Sequence, residues 1–538
     1  MITEIGGKLS GSAFLVAMGV YVIFPAILTI LVFFVFTRVP FSSLLKSEKK
    51  EKFFSLLLWT VIVSYCGIFG TMSVLRYLSF NTAFYDLGIY DHAIWKIADQ
   101  SNWRYLTWGH FRPIVGVYAL FYKLFPSAIT LLLLQTAAVG LSAVPLYYIA
   151  KSSLRSNCYA LVMVIIYFLY SPVGYNNLFD FHADHLIILL MLWGFYFLQK
   201  DKPLAFFLVC LPGLFLKESL ILSISAMGFY AIIRYRKYKS GGILFIGAAI
   251  FFYLVTKYIM PYLGYDLYTG IISHEESFSY LGNNIFEAAR NLLLHPWIAI
   301  REIMNVWKMG YLAFLFLPLL FIPLLSPLSL LPAIPALAIS LLSRLPNHYW
   351  IQHQYTASLV APLFVALIYG LKRLNAKEGY LRIWLKKNLR IRLGKNQLLK
   401  ASLASILIVS IHYNITLSPS PISVLFWKNL IRDYYKSSYL VSERDRVLGD
   451  AIERFIPQNS SVVSQNTVNN SYLAHREEYY CFPEQIESAD YVVLDQKQAH
   501  YVIGKVDEDE YEENFNRLLK SHQIVFSYDG IYIFKRIQ

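Results

Sequence analysis

Long apolar runs recur along most of the chain, and short polar connections separate each run from the next. A straight helix needs about 20 apolar residues to cross a bilayer, so runs near that length indicate membrane spans. The pattern predicts twelve spans, give or take two. They lie at 14–36, 54–75, 127–150, 157–171, 186–199, 204–216, 220–233, 241–260, 311–325, 328–343, 357–371 and 401–417. The chain is therefore expected to be an α-helical polytopic membrane protein.

The pattern changes after the last predicted span. The stretch 442–457 has apolar residues at helical spacing, and 508–522 also reads as a helix. Four short runs rich in β-branched and aromatic residues are typical of strands. They are 461–465, 491–495, 524–528 and 530–535. About 100 residues can enclose a core of their own, so a small α/β domain is expected at the C-terminus.

These patterns divide the chain into three parts. Residues 1–53 would hold one additional span and a basic loop, 54–418 the membrane domain with its polar loops, and 419–538 the α/β domain. The last part contains neither a glycine-rich dinucleotide fingerprint nor a P-loop. Binding, substrate positioning and a purely structural role all remain open for it.

Composition supports the membrane class and explains the net charge. Hydrophobic residues make up 57% of the chain, against about 45–50% in ordinary globular proteins. From Ser418 onward there are 18 acidic and 13 basic residues, a net charge of −5. The rest of the chain therefore carries a net charge of +19, which the acidic C-terminal part reduces to the overall +14. The basic excess belongs to the membrane part, which argues against a nucleic-acid partner.

Lysine and arginine cluster in alternate connections, which predicts the orientation. The basic connections are 46–52, 151–155, 200–202, 234–239 and 372–400. If these face the cytoplasm, the opposite side receives 76–112, 172–185, 217–218, 261–300, 344–356 and the C-terminal domain. The expected location is the plasma membrane, with several spans and an extracytoplasmic C-terminal domain.

The first outer connection contains YDLGIYDHAIW, residues 85–95, where Asp86 and Asp91 lie among apolar neighbours. Charged groups close to a hydrocarbon layer are costly, so a function is expected of them. On a helix their five-residue separation turns through about 140°, which makes them a poor metal-ligand pair. Separate roles are therefore expected. The alternative is that Asp86 only caps a helix over 87–99.

Two further outer stretches pair basic and polar groups. In GHFRP, 109–113, Arg112 could hold a phosphate beside His110, or both could anchor the chain at the membrane surface. In LKES, 216–219, Lys217 and Glu218 lie between two apolar runs. Ionisable groups in such positions are commonly functional, the alternative being a tight turn.

The stretch FDFHADH, 179–185, is the most crowded with ionisable groups. It contains Asp180, His182, Asp184 and His185 in six positions. A helix or an extended segment would each align some of these side chains, and mixed nitrogen and oxygen ligands suit a divalent cation such as Mg or Mn. The alternative is a solvated loop with helix-capping acids.

The last outer stretch is RLPNHYWIQHQYTA, 344–357. It offers Arg344, His348, His353, Gln354 and Tyr355 as groups that could contact a substrate. The two histidines are five residues apart and so lack the four-residue spacing of a helical zinc pair. An aromatic belt at the membrane surface is the alternative.

Taken in order, these motifs resemble a known family. YDLGIYDHAIW, GHFRPIV, FDFHADH, LKES, FPEQIESADYVVLD and DGIYIFKR resemble the prokaryotic membrane proteins grouped as domain of unknown function 2079. The likeness runs from about Leu56 to the C-terminus and leaves the first span outside.

That family in turn resembles the GT-C glycosyltransferases, which take a sugar from a polyprenyl-phosphate carrier at the outer membrane face. The resemblance implies a GT-C-like membrane fold and an acidic catalytic residue in the first large outer loop. The matching positions are Asp86 as leading base and Asp91 as second. Many such enzymes carry two adjacent acids there, and this chain does not.

The hypothesis is therefore a glycosyltransferase with a polyprenyl-phosphate sugar donor and a glycan, protein or lipid acceptor. A lipid or solute transporter and a non-catalytic membrane assembly protein are the alternatives. Transporters place ionisable groups near the middle of the bilayer, often with inverted repeats. Here such groups concentrate in connections on one side, which favours the enzyme.

Overall fold

The computed structural model describes residues 19–38, 51–107, 109–263, 277–282, 285–376, 387, 396–497 and 508–537. The N-terminal stretch 1–18, the basic connection 39–50 and most of the basic connection 372–400 lie outside these ranges. The predicted span 14–36 is thus described only from residue 19.

Most of the described chain is helical up to residue 427. The α-helices of four or more residues described there are Phe24–Arg38, Glu51–Leu78, Ile89–Gln100, Val115–Tyr122, Ala128–Leu141, Ala143–Leu154, Asn157–Leu169, Ser171–Leu178, Leu186–Gln199, Pro203–Cys210, Glu218–Tyr235, Tyr238–Leu254, Ile285–Leu294, Pro296–Ile303, Val306–Phe316, Ile334–Leu342, Ala357–Leu374, Gln397–Leu417 and Val424–Trp427. One short helix, Met260–Tyr262, continues the segment that starts at Tyr238.

Five helical segments among the described residues are long and apolar enough to cross a membrane. They are Glu51–Leu78, Ala128–Leu154, Tyr238–Tyr262, Gln354–Leu374 and Gln397–Leu417. A sixth is formed if Asn157–Leu169 and Ser171–Leu178, which bend by 53°, count as one span. Several apolar helices are shorter, so the number twelve stays a prediction. The membrane class of the fold is confirmed.

The apolar stretch from Pro203 to Tyr235 is divided into two helices, as its residues suggest. An apolar helix ends at Cys210, and Pro212 and Gly213 lie in a short turn that follows it. A new helix begins at Glu218, directly after Lys217 in an extended conformation. The Lys217–Glu218 dipeptide therefore lies where the connection ends and the second apolar helix begins.

The C-terminal part forms a five-stranded mixed sheet. The strands are β1 (Val462–Ser464), β2 (Tyr479–Cys481), β3 (Tyr491–Asp495), β4 (His522–Tyr528) and β5 (Ile531–Arg536), in the order β2-β1-β3-β5-β4. β1 runs parallel to β2 and β3, and β5 is antiparallel to β3 and β4. Among the described residues, the α-helices Glu443–Phe455, Ser471–Ala474 and Glu508–Ser521 accompany the sheet.

Four of these strands and the two longer helices were predicted. Ser442 caps the helix Glu443–Phe455 with a reciprocal capping box, in which its side chain accepts from the Asp445 amide. Of the five strands only β2 was missed, because three residues carry too little periodicity to be recognised.

Candidate functional site

Asp86 lies in a wide helical turn, Phe84–Gly88, that leads directly into the helix Ile89–Gln100. That turn comes soon after the long apolar helix ends at Leu78. The N-cap of this helix is Gly88, and Asp86 lies inside the turn before it, so the alternative that Asp86 caps the helix is wrong. The Asp86 side chain is about a quarter exposed, at 24%. It is therefore partly open to solvent and available to a ligand.

His182 is the nearest ionisable partner of Asp86. Its Nε2 atom lies 3.2 Å from Oδ1 of Asp86, and its ring is buried between Phe179 and Tyr90. An imidazole held in this way can donate a hydrogen bond to one carboxylate oxygen. The second oxygen of Asp86 is then left for another partner.

The segment 179–185 is neither a single helix nor a straight strand. Asp180 has a φ of +47°, His182 is extended, and one short turn covers Ala183–His185. The four ionisable side chains therefore point to different partners. Asp180 accepts from the amide of Ala83 at 2.7 Å and faces Arg76 at 3.8 Å, whereas Asp184 faces Lys217 at 3.7 Å.

This arrangement does not assemble the metal site predicted for Asp180, His182, Asp184 and His185. Nδ1 of His185 lies 2.7 Å from the side-chain oxygen of Gln135. Within the described residues, no three His, Cys, Asp or Glu side chains come together so as to hold a metal ion. These four side chains do not fit a divalent cation, because both of their carboxylates, Asp180 and Asp184, face cationic side chains instead.

Gln135 organises this segment from within an apolar helix. Its amide nitrogen donates to the Asp180 carbonyl at 2.7 Å, and its oxygen accepts from the His182 amide at 2.8 Å. A polar side chain buried in a membrane helix is costly unless it is hydrogen-bonded. Sequence reasoning missed Gln135, although a lone glutamine in an apolar run was a usable signal.

Two cationic side chains, Arg112 and Lys217, belong to the same group of residues as Asp86. The guanidinium of Arg112 stands 4.1 Å from the ring centre of Tyr90, and Lys217 lies 5.9 Å from the ring centre of Tyr355. Both cations are thus held against aromatic faces, an arrangement that stabilises buried positive charge. Neighbouring Asp184 raises the pKa of Lys217 above its ordinary value despite burial. Lys217 is therefore charged at neutral pH.

Glu218 links two of the predicted motifs. Its carboxylate lies 2.9 Å from Nδ1 of His110 and accepts from the Phe111 amide at 3.1 Å. GHFRP and LKES, more than 100 residues apart in sequence, are therefore joined directly. Burial lowers the pKa of His110, while Glu218 opposes that shift.

The residues predicted in the stretch 344–357 lie in two places: some lie near the groups around Asp86, and Arg344 lies in a separate cluster. His353 packs on Phe179 with ring centres 4.6 Å apart, and His348 packs on Tyr355 at 4.4 Å. Burial lowers the pKa of each of these histidines to about 4, so both are neutral at pH 7. Gln354 is buried, and its side-chain oxygen has no hydrogen-bond partner among the described residues.

Arg344 belongs to the separate cluster. Its Nε atom lies 3.6 Å from Glu302, which also binds Lys308 at 2.6 Å. Its guanidinium stands 4.1 Å from the ring centre of Tyr280, and the side chain is 54% exposed. The structure therefore associates Arg344 with Glu302 rather than with Asp86.

Asp91 also has surroundings of its own. Its side chain is fully buried, accepts a hydrogen bond from Tyr122, and lies 3.7 Å from Nε2 of His475 in the C-terminal sheet domain. Asp86 and Asp91 thus have different neighbours, as their spacing on a helix predicted. A carboxylate with no exposed surface is poorly placed to meet a substrate.

Burial raises the pKa of Asp180, an effect that Arg76 opposes and Asp86 reinforces. We call the connected groups the Asp86 cluster. Its members are Asp86, Tyr90, His110, Arg112, Asp180, His182, Asp184, Lys217, Glu218, His348, His353 and Tyr355.

The chain was compared with known proteins. The comparison with curated proteins gave no significant match. Among solved structures, the crystal structure of ArnT from Cupriavidus metallidurans bound to undecaprenyl phosphate is 11% identical to the chain, with a TM-score of 0.46. The similarity covers 90% of this chain and 98% of that one. A TM-score below 0.5 does not establish a shared fold, so it carries no weight for the function.

A family model matches residues 76–533, from the end of the first long span to the last strand of the sheet. This range includes the whole Asp86 cluster and the motifs that suggested the relationship, of which the last, DGIYIFKR at 529–536, is covered as far as residue 533. The chain therefore belongs to the family of predicted membrane proteins called DUF2079.

Proposed function

We propose that the chain is a membrane glycosyltransferase that moves a sugar from a polyprenyl-phosphate carrier to an acceptor, with Asp86 as general base. The main support for this proposal is that Asp86, oriented by His182 at 3.2 Å, shares one cluster with Lys217 and Arg112. A partly exposed carboxylate and buried cations are the groups that such a transfer requires.

Asp86 would take the proton from the acceptor hydroxyl. A positioned carboxylate typically contributes a 10²- to 10⁴-fold rate acceleration as a base, and it must lie within hydrogen-bond reach of that hydroxyl. His182 would engage one oxygen of Asp86 and leave the other to the acceptor. His182 is thus a positioning residue in this mechanism.

Lys217 and Arg112 would stabilise the departing lipid phosphate. Charge develops on that phosphate as the bond to the sugar breaks, and preorganised cations lower the energy of that state. Asp184 faces Lys217 only loosely, at 3.7 Å, so Lys217 can also contact an anion. The apolar helices around the cluster would hold the prenyl chain.

The contacts of Lys217 and Glu218 favour transfer over transport. This pair would support a transporter if it contacted groups in the middle of a helix. Instead Lys217 faces Asp184 and Glu218 faces His110, both in connections. These contacts place the pair with the loop groups at the ends of the helices.

The test is sugar transfer by the purified protein in lipid nanodiscs. Polyprenyl-phosphate-linked hexoses carrying a radiolabel would be supplied with lipid and glycan acceptors. We expect the natural chain to release polyprenyl phosphate, and Asp86→Asn to reduce that rate by at least about 10²-fold because the base is lost. Tm and gel-filtration profile should be unchanged.

Asp99→Asn is the matched control. It removes an exposed carboxylate from the helix that follows Asp86, and we expect full activity. Equal activity of Asp86→Asn and the natural chain would remove Asp86 as the base. Absence of transfer by the natural chain from every donor would contradict the proposed function.

A further inference from the structure

The turn that carries Asp86, and the residues just before it, also contact the C-terminal sheet domain. Phe80 and Phe84 are both 5% exposed and belong to the apolar core of the C-terminal sheet domain, beside Leu448, Ile452 and Leu473. The ring of Phe84 packs on Tyr479 of β2 with centres 4.7 Å apart. The Asp86 turn is therefore built partly on the core of a domain nearly 400 residues away in sequence.

Hydrogen bonds also hold the residues before Asp86 against the C-terminal domain. The amide of Phe84 donates to the carbonyl of Asn466 at 2.8 Å, and the amide of Tyr85 donates to the Asn466 side chain at 3.2 Å. The side chain of Asn469 donates to Thr82 at 3.3 Å. Two of these bonds hold the residues directly before Asp86.

The helix after the turn is anchored to the same segment. Asp91 accepts from Tyr122, whose hydroxyl lies 2.7 Å from Nε2 of His475. Nδ1 of His92 lies 2.6 Å from the carbonyl of Ala474. Further along, Lys96 is paired with Glu477 at 2.8 Å.

A glycine marks the closest approach. A Cβ atom added at Gly88 would lie 2.9 Å from the side-chain oxygen of Asn469 and 3.3 Å from its Cγ. Gly88 has helical dihedral angles, with φ of −62°, so it is not required for an unusual backbone conformation. Its lack of a side chain instead lets the turn approach Asn469.

We propose that the segment Asn466–Glu477, here called the clamp segment, positions Asp86 for catalysis, with Asn466 as the positioning residue. Asp91 is in this arrangement an anchor for the clamp segment and not a second base. The inference rests on the proposed function only in naming Asp86 as the base. It assigns the C-terminal domain a part in building the active site.

The first test compares Asn466→Ala with Asn466→Asp. Alanine removes the acceptor for the Tyr85 amide, whereas aspartate retains one. A displacement of about 1 Å can cost about 10²-fold in rate. We expect Asn466→Ala to lower kcat by about 10- to 100-fold with KM for the polyprenyl-phosphate hexose within twofold, and Asn466→Asp to recover most of that loss.

Hydrogen exchange supplies a readout that needs no activity. In Asn466→Ala, peptides covering 83–90 should exchange faster, and peptides in the helix Gln397–Leu417 should not. Asn459→Ala, an exposed asparagine of the same domain, is the control and should change neither rate nor exchange. Unchanged exchange and unchanged kcat in Asn466→Ala would overturn the inference.

The second test uses the close approach at Gly88. Gly88→Ala should lower kcat because its methyl group displaces Asn469, and adding Asn469→Ala should restore part of the activity. Residues in contact show such non-additivity, and distant residues do not. Gly449→Ala, where nothing lies within 4 Å, is the control. Additive losses in the double variant would contradict the clamp.

The two proposals fail in different ways. If no donor is used by the natural chain, the proposed function fails, yet faster exchange over 83–90 would still show that Asn466 holds the turn. If transfer occurs and Asn466→Ala behaves like the natural chain in both assays, only the clamp is wrong.

Discussion

Two histidines of the Asp86 cluster are held neutral by their surroundings. His348 is buried between Phe278 and Tyr355, and its Nδ1 lies 2.7 Å from the Ser343 hydroxyl. Burial and the nearby charge of Lys217 lower its pKa to about 4, from an ordinary value of 6.5. Burial likewise lowers the pKa of His353. Neutral rings suit contact with sugar hydroxyl groups more than contact with phosphate.

This lowered pKa predicts how stability depends on pH. Between pH 6.5 and 4 the unfolded chain binds a proton at His348 and the folded chain does not. The stability that the neutral His348 ring contributes is therefore fully present above pH 6.5 and is lost as the pH falls towards 4. At pH 5 the loss is about 2 kcal/mol, at about 1.4 kcal/mol per pH unit. We expect His348→Gln to flatten the fall of Tm between pH 7 and 5.

His295→Gln is the control for this pH effect, because His295 is exposed. It should leave the slope of Tm against pH as in the natural chain. An equal slope in His348→Gln and the natural chain would show that His348 is protonated in the folded state at mildly acidic pH.

Among the individual residues, Asp86 was identifiable from sequence as a carboxylate after an apolar run. Its partners were not. Gln135 stands out only as a lone glutamine in an apolar run, and Arg76 and Asn466 lie in ordinary contexts. The importance of all three arises from contacts across 45 to several hundred positions, such as Gln135 with Asp180. A single sequence contains no signal for such pairs.

Close helix packing supports the bundle that carries the cluster. The helices Glu218–Tyr235 and Tyr238–Leu254 approach closely at Gly228, where an added Cβ would lie 2.5 Å from the amide nitrogen of Phe245 and 2.7 Å from the carbonyl oxygen of Gly241. Small residues allow such approach between membrane helices. Because both neighbours are backbone atoms, they cannot rotate away.

Gly228→Ala should therefore force these helices apart. Overpacking typically costs about 1–3 kcal/mol, which we expect as a lower Tm in detergent. Because Glu218 begins the first of these helices, the interaction with His110 should loosen as well. Gly247→Ala, on the second helix with nothing within 4 Å, should leave Tm unchanged. Equal Tm values for both variants would contradict the packing argument.

At the scale of elements, periodicity predicted the C-terminal part within a few residues, whereas the span predicted over 311–325 is α-helical only to Phe316. The helix predicted over 442–457 occupies Glu443–Phe455, and the strand predicted over 491–495 occupies Tyr491–Asp495. The segment 179–185 differs, because its conformation is set by Gln135 and Arg76 rather than by local preference. Both geometries considered for it from sequence were regular, and the actual one is not.

At the scale of the whole molecule, charged groups separate towards opposite ends of the bundle. Lys151 pairs with Glu51 at 2.8 Å, at the start of the helix Glu51–Leu78, whereas Asp86 follows the end of that helix. A helix of 28 residues spans about 42 Å, enough to cross a bilayer. The separation supports the proposal that basic connections face the cytoplasm and the Asp86 cluster the outside.

Cysteine labelling in intact cells tests this orientation. Asp450→Cys, on an exposed position of the C-terminal domain, should react with a membrane-impermeant maleimide, and Lys52→Cys should react only after permeabilisation. The natural chain is the control, since Cys66 and Cys158 are half-buried and Cys210 and Cys481 are buried. The reverse labelling pattern would invert the topology and place the cluster in the cytoplasm.

The sequence by itself determined the membrane class, the α/β character of the C-terminal part and the ionisable motifs. These depend on composition and on periodicities of 2 and 3.6 residues, which are local properties of the chain. Only the tertiary structure decided which motifs meet. It joined Asp86 to His182 and His110 to Glu218, separated Arg344 and Asp91 from them, and set the C-terminal domain against the Asp86 turn. Such pairings depend on how helices and strands pack over hundreds of residues, and no local pattern encodes them.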